Sequence, residues 1–406
     1  MENPTQTNID QLSEQYRILI SESLDAPSIP NRFSEIRTVD YSAVQLQDII
    51  GCTKSQLKKC LDEFENEGEY IQRNSQNHRR LMPDQAAKVM ELFGFKSIST
   101  IRNEGKEYQT PVVLITEGKG GIGKSTTAIT LATSAALDIQ RGPRTLLFDA
   151  DPQGSIGHQL SAASPDSVFS SVHDHIQKNQ HLSRTERLTP ERQAEFREYL
   201  LANVVLDSYI DNLSFIPSNS LDVNLETAIA GKLATGGGID EAISLYNDLV
   251  FSPLKNDFDL IVIDSGPAVN TTLYNLYYSS NHLIMPTTAR QQDFRAFIDY
   301  QLISKNIIDN IMPSDFQGFK SIRSLVTKHS DKNQAIEKRA VAIQQNSKSF
   351  ITRIKENKAY EIASQSRLPL QLLVSTSSST LKSANKDAER LYFEVSAVLF
   401  SDCWIG

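Results

Sequence analysis

TEGKGGIGKSTT, residues 116–127, sets two lysines, Lys119 and Lys124, around a run of glycines. Gly118, Gly123, Lys124 and Ser125 satisfy G-x-x-x-x-G-K-[ST], with the apolar run VVLIT before them and the helix-forming TTAITLATSAA after. Glycines let backbone N–H groups turn inward onto phosphate oxygens. The helix N-terminus adds the positive end of its dipole, and Lys124 neutralises the outer phosphates. The predicted cradle runs through Gly118, Lys119, Gly120, Gly121, Ile122, Gly123, Lys124, Ser125 and Thr126, with Ser125 placed to ligate Mg2+. One lysine suffices for this chemistry, so Lys119 needs a separate reason.

Two acidic elements complete the expected site. FDLIVID, starting at Phe258, ends an apolar strand in Asp264, the position from which a carboxylate holds a metal through water. DADPQGS starts at Asp149, where Asp149, Asp151 and Gln153 occupy a loop able to reach a terminal phosphate; Asp151 is the first choice for orienting an attacking water. Further apolar runs begin near residues 145, 282, 324 and 370, separated by longer segments of helical character. That texture predicts an α/β fold whose parallel sheet is covered on both faces. Residues 164–197 are polar and read as a helical insertion, and residues 96–110 as a linker or first edge element.

GKGGIGKST, DADPQG and LIVIDSGP together resemble the deviant Walker A, Walker A′ and Walker B motifs of the ParA/MinD family of ATPases, over about residues 110–400. The resemblance implies weak ATP hydrolysis to ADP with Mg2+, with Lys119, Lys124, Asp149 and Asp151 as catalytic residues. It also gives Lys119 its reason: in an ATP-bound sandwich homodimer this lysine reaches the nucleotide of the second subunit, like a finger supplied in trans. The chain departs from the commonest pattern at Thr116-Glu117-Gly118 and at Ser265-Gly266-Pro267.

The rest of the chain selects among branches of that family. Cys52, Cys60 and Cys403 lack metal-like spacing, and none lies between Gly118 and Ser280, which excludes an interface iron–sulfur cluster. The tail DAERLYFEVSAVLFSDCWIG is acidic and apolar, unlike a basic membrane-binding helix. No basic leader and no run of eighteen apolar residues occurs, so a reducing cytoplasm is expected, with no membrane partner.

A net charge of -8 argues against a polyanion partner only on average. Ile9, Leu12, Tyr16, Leu19 and Leu24 predict an amphipathic helix in residues 1–35, a candidate dimer contact. Ser42 with Gln45 and Thr53 with Gln56 are capping boxes that start two helices around Gly51, within a winged helix-turn-helix domain expected over residues 36–105. Lys54, Ser55, Gln56, Lys58 and Lys59 would form its recognition helix, and Arg73, Arg79 and Arg80 its basic wing. Within residues 106–406, the expected ATPase domain, eight basic residues stand against three acidic between Lys328 and Lys358: Lys328, Lys332, Lys338, Arg339, Lys348, Arg353, Lys355 and Lys358.

This organisation resembles the larger, plasmid-type ParA proteins. The resemblance implies a partition ATPase that segregates a plasmid or secondary chromosome, binds nonspecific DNA on the nucleoid in its ATP form, and answers to a ParB-type centromere-binding partner. Operator binding and autorepression would use the helix-turn-helix. A nucleotide-regulated transcriptional repressor and an ATP-dependent synthetase are the alternatives.

Overall fold

The computed structural model describes residues 39–105, 108–154, 156–160, 171–218, 238–330, 333–373 and 379–401, with isolated positions between 222 and 229. The helix expected in residues 1–35 lies outside the described residues, as does Lys332.

Both predicted capping boxes form. Ser42 and Gln45 open α1 (Ala43–Ile50), and Thr53 and Gln56 open α2 (Lys54–Asn66). Gly51 turns the chain between them at φ 72°, a left-handed conformation that costs glycine little. β1 (Tyr41–Ser42), β2 (Gln72–Arg73) and β3 (Arg79–Leu81) make a small antiparallel sheet with β3 central, and α3 (Pro83–Leu92) follows. Leu46, Leu57, Leu61, Phe64, Leu81 and Val89 are the core of this unit, and Ile139, from much later in the chain, joins them.

Residues 98–103, expected within a linker or edge element, instead form α4 (Ile98–Asn103), capped by Ser97. Its Arg102 donates to the carbonyls of Lys255 and Asn256 and to the Thr110 hydroxyl, and pairs with buried Asp259. Those distant partners outweigh the weak local propensity of a polar segment.

The main sheet contains β4 (Val112–Ile115), β5 (Thr145–Ala150), β6 (Leu206–Asp207), β7 (Leu213–Ile216), β8 (Leu260–Ser265), β9 (His282–Thr288) and β10 (Ser321–Thr327). Their order is β10-β9-β4-β8-β5-β7-β6, parallel throughout except for β6 against β7. Alternate side chains serve opposite faces. Ile261 and Ile263 pack with Leu276 of α8 (Thr271–Ser279) and Phe297 of α9 (Gln291–Asn310). Leu260 and Val262 pack with Leu131 of α5 (Lys124–Ala136) and Leu391 of α12 (Ser379–Leu399). Burial on both faces is why these strands read as unbroken apolar runs.

Between β5 and β6 the insertion carries α6 (Val172–Asn179) and α7 (Pro190–Asn203); after β10 come α10 (Gln334–Asn346) and α11 (Lys358–Gln365). The apolar run near residue 370 is not a strand where it is described. Leu370–Leu372 makes one 3-10 turn, and Leu370 and Leu373 pack against Leu381, Ala384 and Ala388 of α12. Periodicity cannot separate a short buried strand from a buried turn of helix.

Arg187 of the insertion is fully buried and donates to Asp248, also fully buried, and to Glu241. Replacing Arg187 by leucine strips Asp248 of its main partner, and we expect a loss of about 3 kcal/mol or more in denaturant unfolding; an unchanged midpoint would show that the pair is dispensable.

Candidate nucleotide-binding site

The loop between β4 and α5 owes its shape to glycines at positive φ, 75° at Gly121 and 95° at Gly123, where a side chain would be strained. A Cβ on Gly118 would lie 3.0 Å from the Tyr300 ring. The end of β10 braces the loop: Thr327 Oγ1 donates to the Ile122 carbonyl at 2.7 Å and Lys328 Nζ to the Gly121 carbonyl at 2.6 Å. Lys124 is buried, with Nζ 3.0 Å from the Lys119 carbonyl. Burial pulls its pKa down, against the attraction of Asp264, Glu117 and Asp151.

Asp264, next to last in β8, lies opposite Ile115 of β4 and Asp149 of β5. It is fully buried, and neither carboxylate oxygen has a hydrogen bond of good geometry. Burial pushes its pKa up to about 7, with the Ser125 hydroxyl and Lys124 ammonium pulling the other way. An orphaned carboxylate beside a hydroxyl and a lysine fits a hydrated Mg2+ shared with phosphates. Among the described residues no group of three His, Cys, Asp or Glu could hold a metal alone.

The structure separates Asp149 from Asp151. Asp149 is buried and accepts the N–H groups of Asp151, at 3.1 Å, and Ile156, at 3.2 Å. Burial, with Asp264 beside it, pushes its pKa well above the carboxylate range. Its place is that of a loop organiser. Asp151 is only half-buried, and with Asp149, Gln153, Ser265, Gly266 and Asn270 it lines a cavity of about 490 Å³.

Lys119 forms an ion pair with Asp293 of α9, whose other oxygen accepts the Thr288 hydroxyl. Although burial opposes it, these two donors hold the Asp293 carboxyl below its usual range. The Lys119 N–H also donates to Glu117 at 2.8 Å. Asp293 was invisible to sequence reasoning, because nothing near residue 293 marks a partner 174 positions away. Glu117 had a signal, as the departure from the commonest motif.

The residues predicted for DNA fall into two groups. Lys54, Ser55, Gln56, Lys58 and Lys59 are exposed on the first half of α2, although Gln56 Oε1 is used by the cap and Lys59 lies 3.8 Å from Glu63. The expected wing is different. Arg79 is mostly buried and bonds Asp62 and Glu65, Arg73 bonds Glu65 at 2.8 Å, and Arg80 lies 3.4 Å from Asp40. Asp62 and Glu65 share a face of α2 toward the hairpin and draw these guanidiniums in. In the later patch Arg353 pairs with Glu337 and Gln344, Arg339 Nε donates to the Ala289 carbonyl, and Lys328 braces the phosphate loop. Lys338, Lys348, Lys355 and Lys358 stay exposed.

Residues 110–297 match the family described as an AAA domain, AAA_31. SopA of Escherichia coli (strain K12) is 27% identical over 225 residues, 55% of this chain and 52% of SopA. Plasmid partition protein A of Escherichia coli is 21% identical over 266 residues, 64% of this chain and 62% of that protein. The chromosome-partitioning ATPase Soj of Treponema pallidum (strain Nichols) is 28% identical over 169 residues, 41% and 53%. The chain thus spans about half the length of SopA and of Soj. A solved partition protein superposes with TM-score 0.67 at 13% identity over 97% of this chain and 98% of its own, and an ATP complex of Cyanothece McdA with 0.54 at 18% over 72% and 97%. At such identities the superpositions show a shared fold. The named relatives, the phosphate loop and the parallel sheet agree in making the chain similar to ParA-type partition ATPases.

Proposed function

We propose that the protein is a Mg2+-dependent ATPase that partitions DNA, binding ATP and ADP at the β4–α5 loop. The observation that carries this reading is the orphaned Asp264 carboxylate, buried beside Lys124 and Ser125 at the strand ends where a phosphate-bound metal would sit. Lys124 neutralises the phosphates, Ser125 ligates the metal and Asp264 holds it through water, while Asp151 orients the attacking water from the adjoining cavity. The loop from Gly118 to Thr126 supplies the phosphate-facing backbone, and Asp149 keeps the Asp151 loop in shape. Lys119, freed from Asp293, reaches the nucleotide of a second copy, so that dimerisation and nucleotide state become one switch.

The ATP-bound homodimer holds nonspecific DNA on the nucleoid, in the cytoplasm, through exposed lysines such as Lys338, Lys348, Lys355 and Lys358. A ParB-type centromere-binding protein stimulates hydrolysis. The unit built on α1 and α2 acts as a winged helix-turn-helix for an operator, reading DNA with the exposed start of α2 rather than with the paired arginines of the hairpin. A division of residues 36–105 and 106–406 between those two tasks follows.

The decisive experiment is binding to random-sequence DNA across a salt range with ATP, with ADP and without nucleotide. Binding confined to ATP, weakening steeply with salt, is the expected result. Absence in every state, or restriction to one sequence, would sink the partition reading and favour a repressor. In the same assay, Lys348→Ala and Lys355→Ala should each shallow the log–log salt slope by about 1.

Two variants test the chemistry. Lys119→Gln should cut turnover by on the order of a hundredfold while ATP binding changes little, and equal loss of both would contradict the cross-subunit role. For Asp264, a pKa raised on folding means that the folded chain holds the proton more tightly. Stability therefore falls as pH rises from 3.8 toward about 7, and the loss is complete above that. Asp264→Asn should remove this fall, leaving the nucleotide-free variant more stable than wild type at pH 8 by a few kcal/mol, on the order of the shift itself. It should also abolish Mg2+-dependent turnover. Parallel pH–melting curves for the two proteins would refute the assignment.

A further inference from the structure

Lys119 is held at three points. Its ammonium pairs with Asp293, its carbonyl accepts Lys124 Nζ at 3.0 Å, and its N–H donates to Glu117 Oε2 at 2.8 Å. In the ATPase dimer proposed above, the first two contacts have to break. Lys124 is needed on the phosphates of its own nucleotide, and the Lys119 ammonium on those of the second. Only the bond to Glu117 engages neither cation, so only it can persist through the cycle.

Glu117 is well placed to be a fixed point. Thr116, before it, donates its N–H to the Ile284 carbonyl at 3.1 Å and shares a 2.7 Å hydroxyl bond with Tyr300. Gly118, after it, sits where an added Cβ would meet the same tyrosine ring at 3.0 Å. The Glu117 side chain is buried, 1% of the residue being exposed, and its Oε1 has no hydrogen-bond partner. A carboxyl in that position weakens the fold. Burial pushes its pKa up, against the Lys119 N–H and the Lys124 ammonium, and Asp293 adds to the rise. An acid that costs stability, set between the two lysines of the loop, points to a task in the site.

We infer that Glu117 is a positioning residue for Lys119: its carboxylate clamps the Lys119 main chain, so that the ammonium swings about a constant pivot between Asp293 and the second nucleotide. The inference rests on the ATPase-dimer reading.

The test compares wild type, Glu117→Gln and Glu117→Ala, alone and combined with Lys119→Gln. ATP affinity is read with a fluorescent ATP analogue and Mg2+, and turnover by phosphate release. Glu117→Ala should lower kcat by about tenfold or more with the dissociation constant within about threefold, because a misdirected Lys119 affects only the reacting geometry. Glu117→Gln keeps an oxygen for the Lys119 N–H and should stay within about threefold of wild type in both. Added to Lys119→Gln, the alanine change should cost nothing more. Wild-type turnover in Glu117→Ala, a further loss on top of Lys119→Gln, or a parallel fall in affinity would each overturn the role. A wild-type protein that neither binds nor hydrolyses ATP would remove the ATPase reading itself, and the inference with it.

Discussion

A carboxylate shut between two parallel strands without a hydrogen bond of good geometry is unfavourable, and Asp264 occupies that position near the end of β8. The surrounding architecture makes it tolerable. β4 delivers the phosphate loop on one side and β5 the Asp149–Gln153 loop on the other, so two loops and one acid meet at a single edge. Fully buried strands keep that edge rigid. Held there, the acid cannot relax toward solvent, and the edge lies where ligands of parallel sheets bind, beyond the carboxyl ends of the strands.

What could be read in the sequence was local. The phosphate loop, the strands leading to it and both capping boxes are encoded within a few residues of themselves, where spacing translates directly into geometry. What could not be read was long-range pairing. Arg79 looks like a DNA contact until Asp62 and Glu65 are seen on the facing helix, and Lys119 looks free until Asp293 arrives from α9. α4 was missed for the same reason, since the partners of Arg102 lie about 150 residues away. The 3-10 turn at Leu370–Leu372 failed differently, because its apolar run fits strand and helix equally well.

Charge shows the same distinction between inventory and arrangement. Counting residues from Lys328 to Lys358 suggests a dense basic surface, yet Arg353 and Arg339 serve the fold and Lys328 serves the phosphate loop. Long flexible lysines remain outside while planar guanidiniums are drawn into fixed networks. A surface of lysines suits contact with a uniform line of phosphates better than recognition of particular bases.

The small unit that precedes the main sheet is not self-contained. Ile139, in the turn after α5, completes its apolar core, Tyr41 Oη donates to the Leu137 carbonyl at 2.7 Å, and the Ile98 N–H donates to the Arg141 carbonyl at 2.8 Å. That turn belongs to the helix that begins at Lys124. A cut between the two along the chain would therefore expose an apolar gap, and grafting the unit onto another sheet would require this turn to travel with it. Modularity here is a property of the sequence map, and the three-dimensional seam runs through a shared wall.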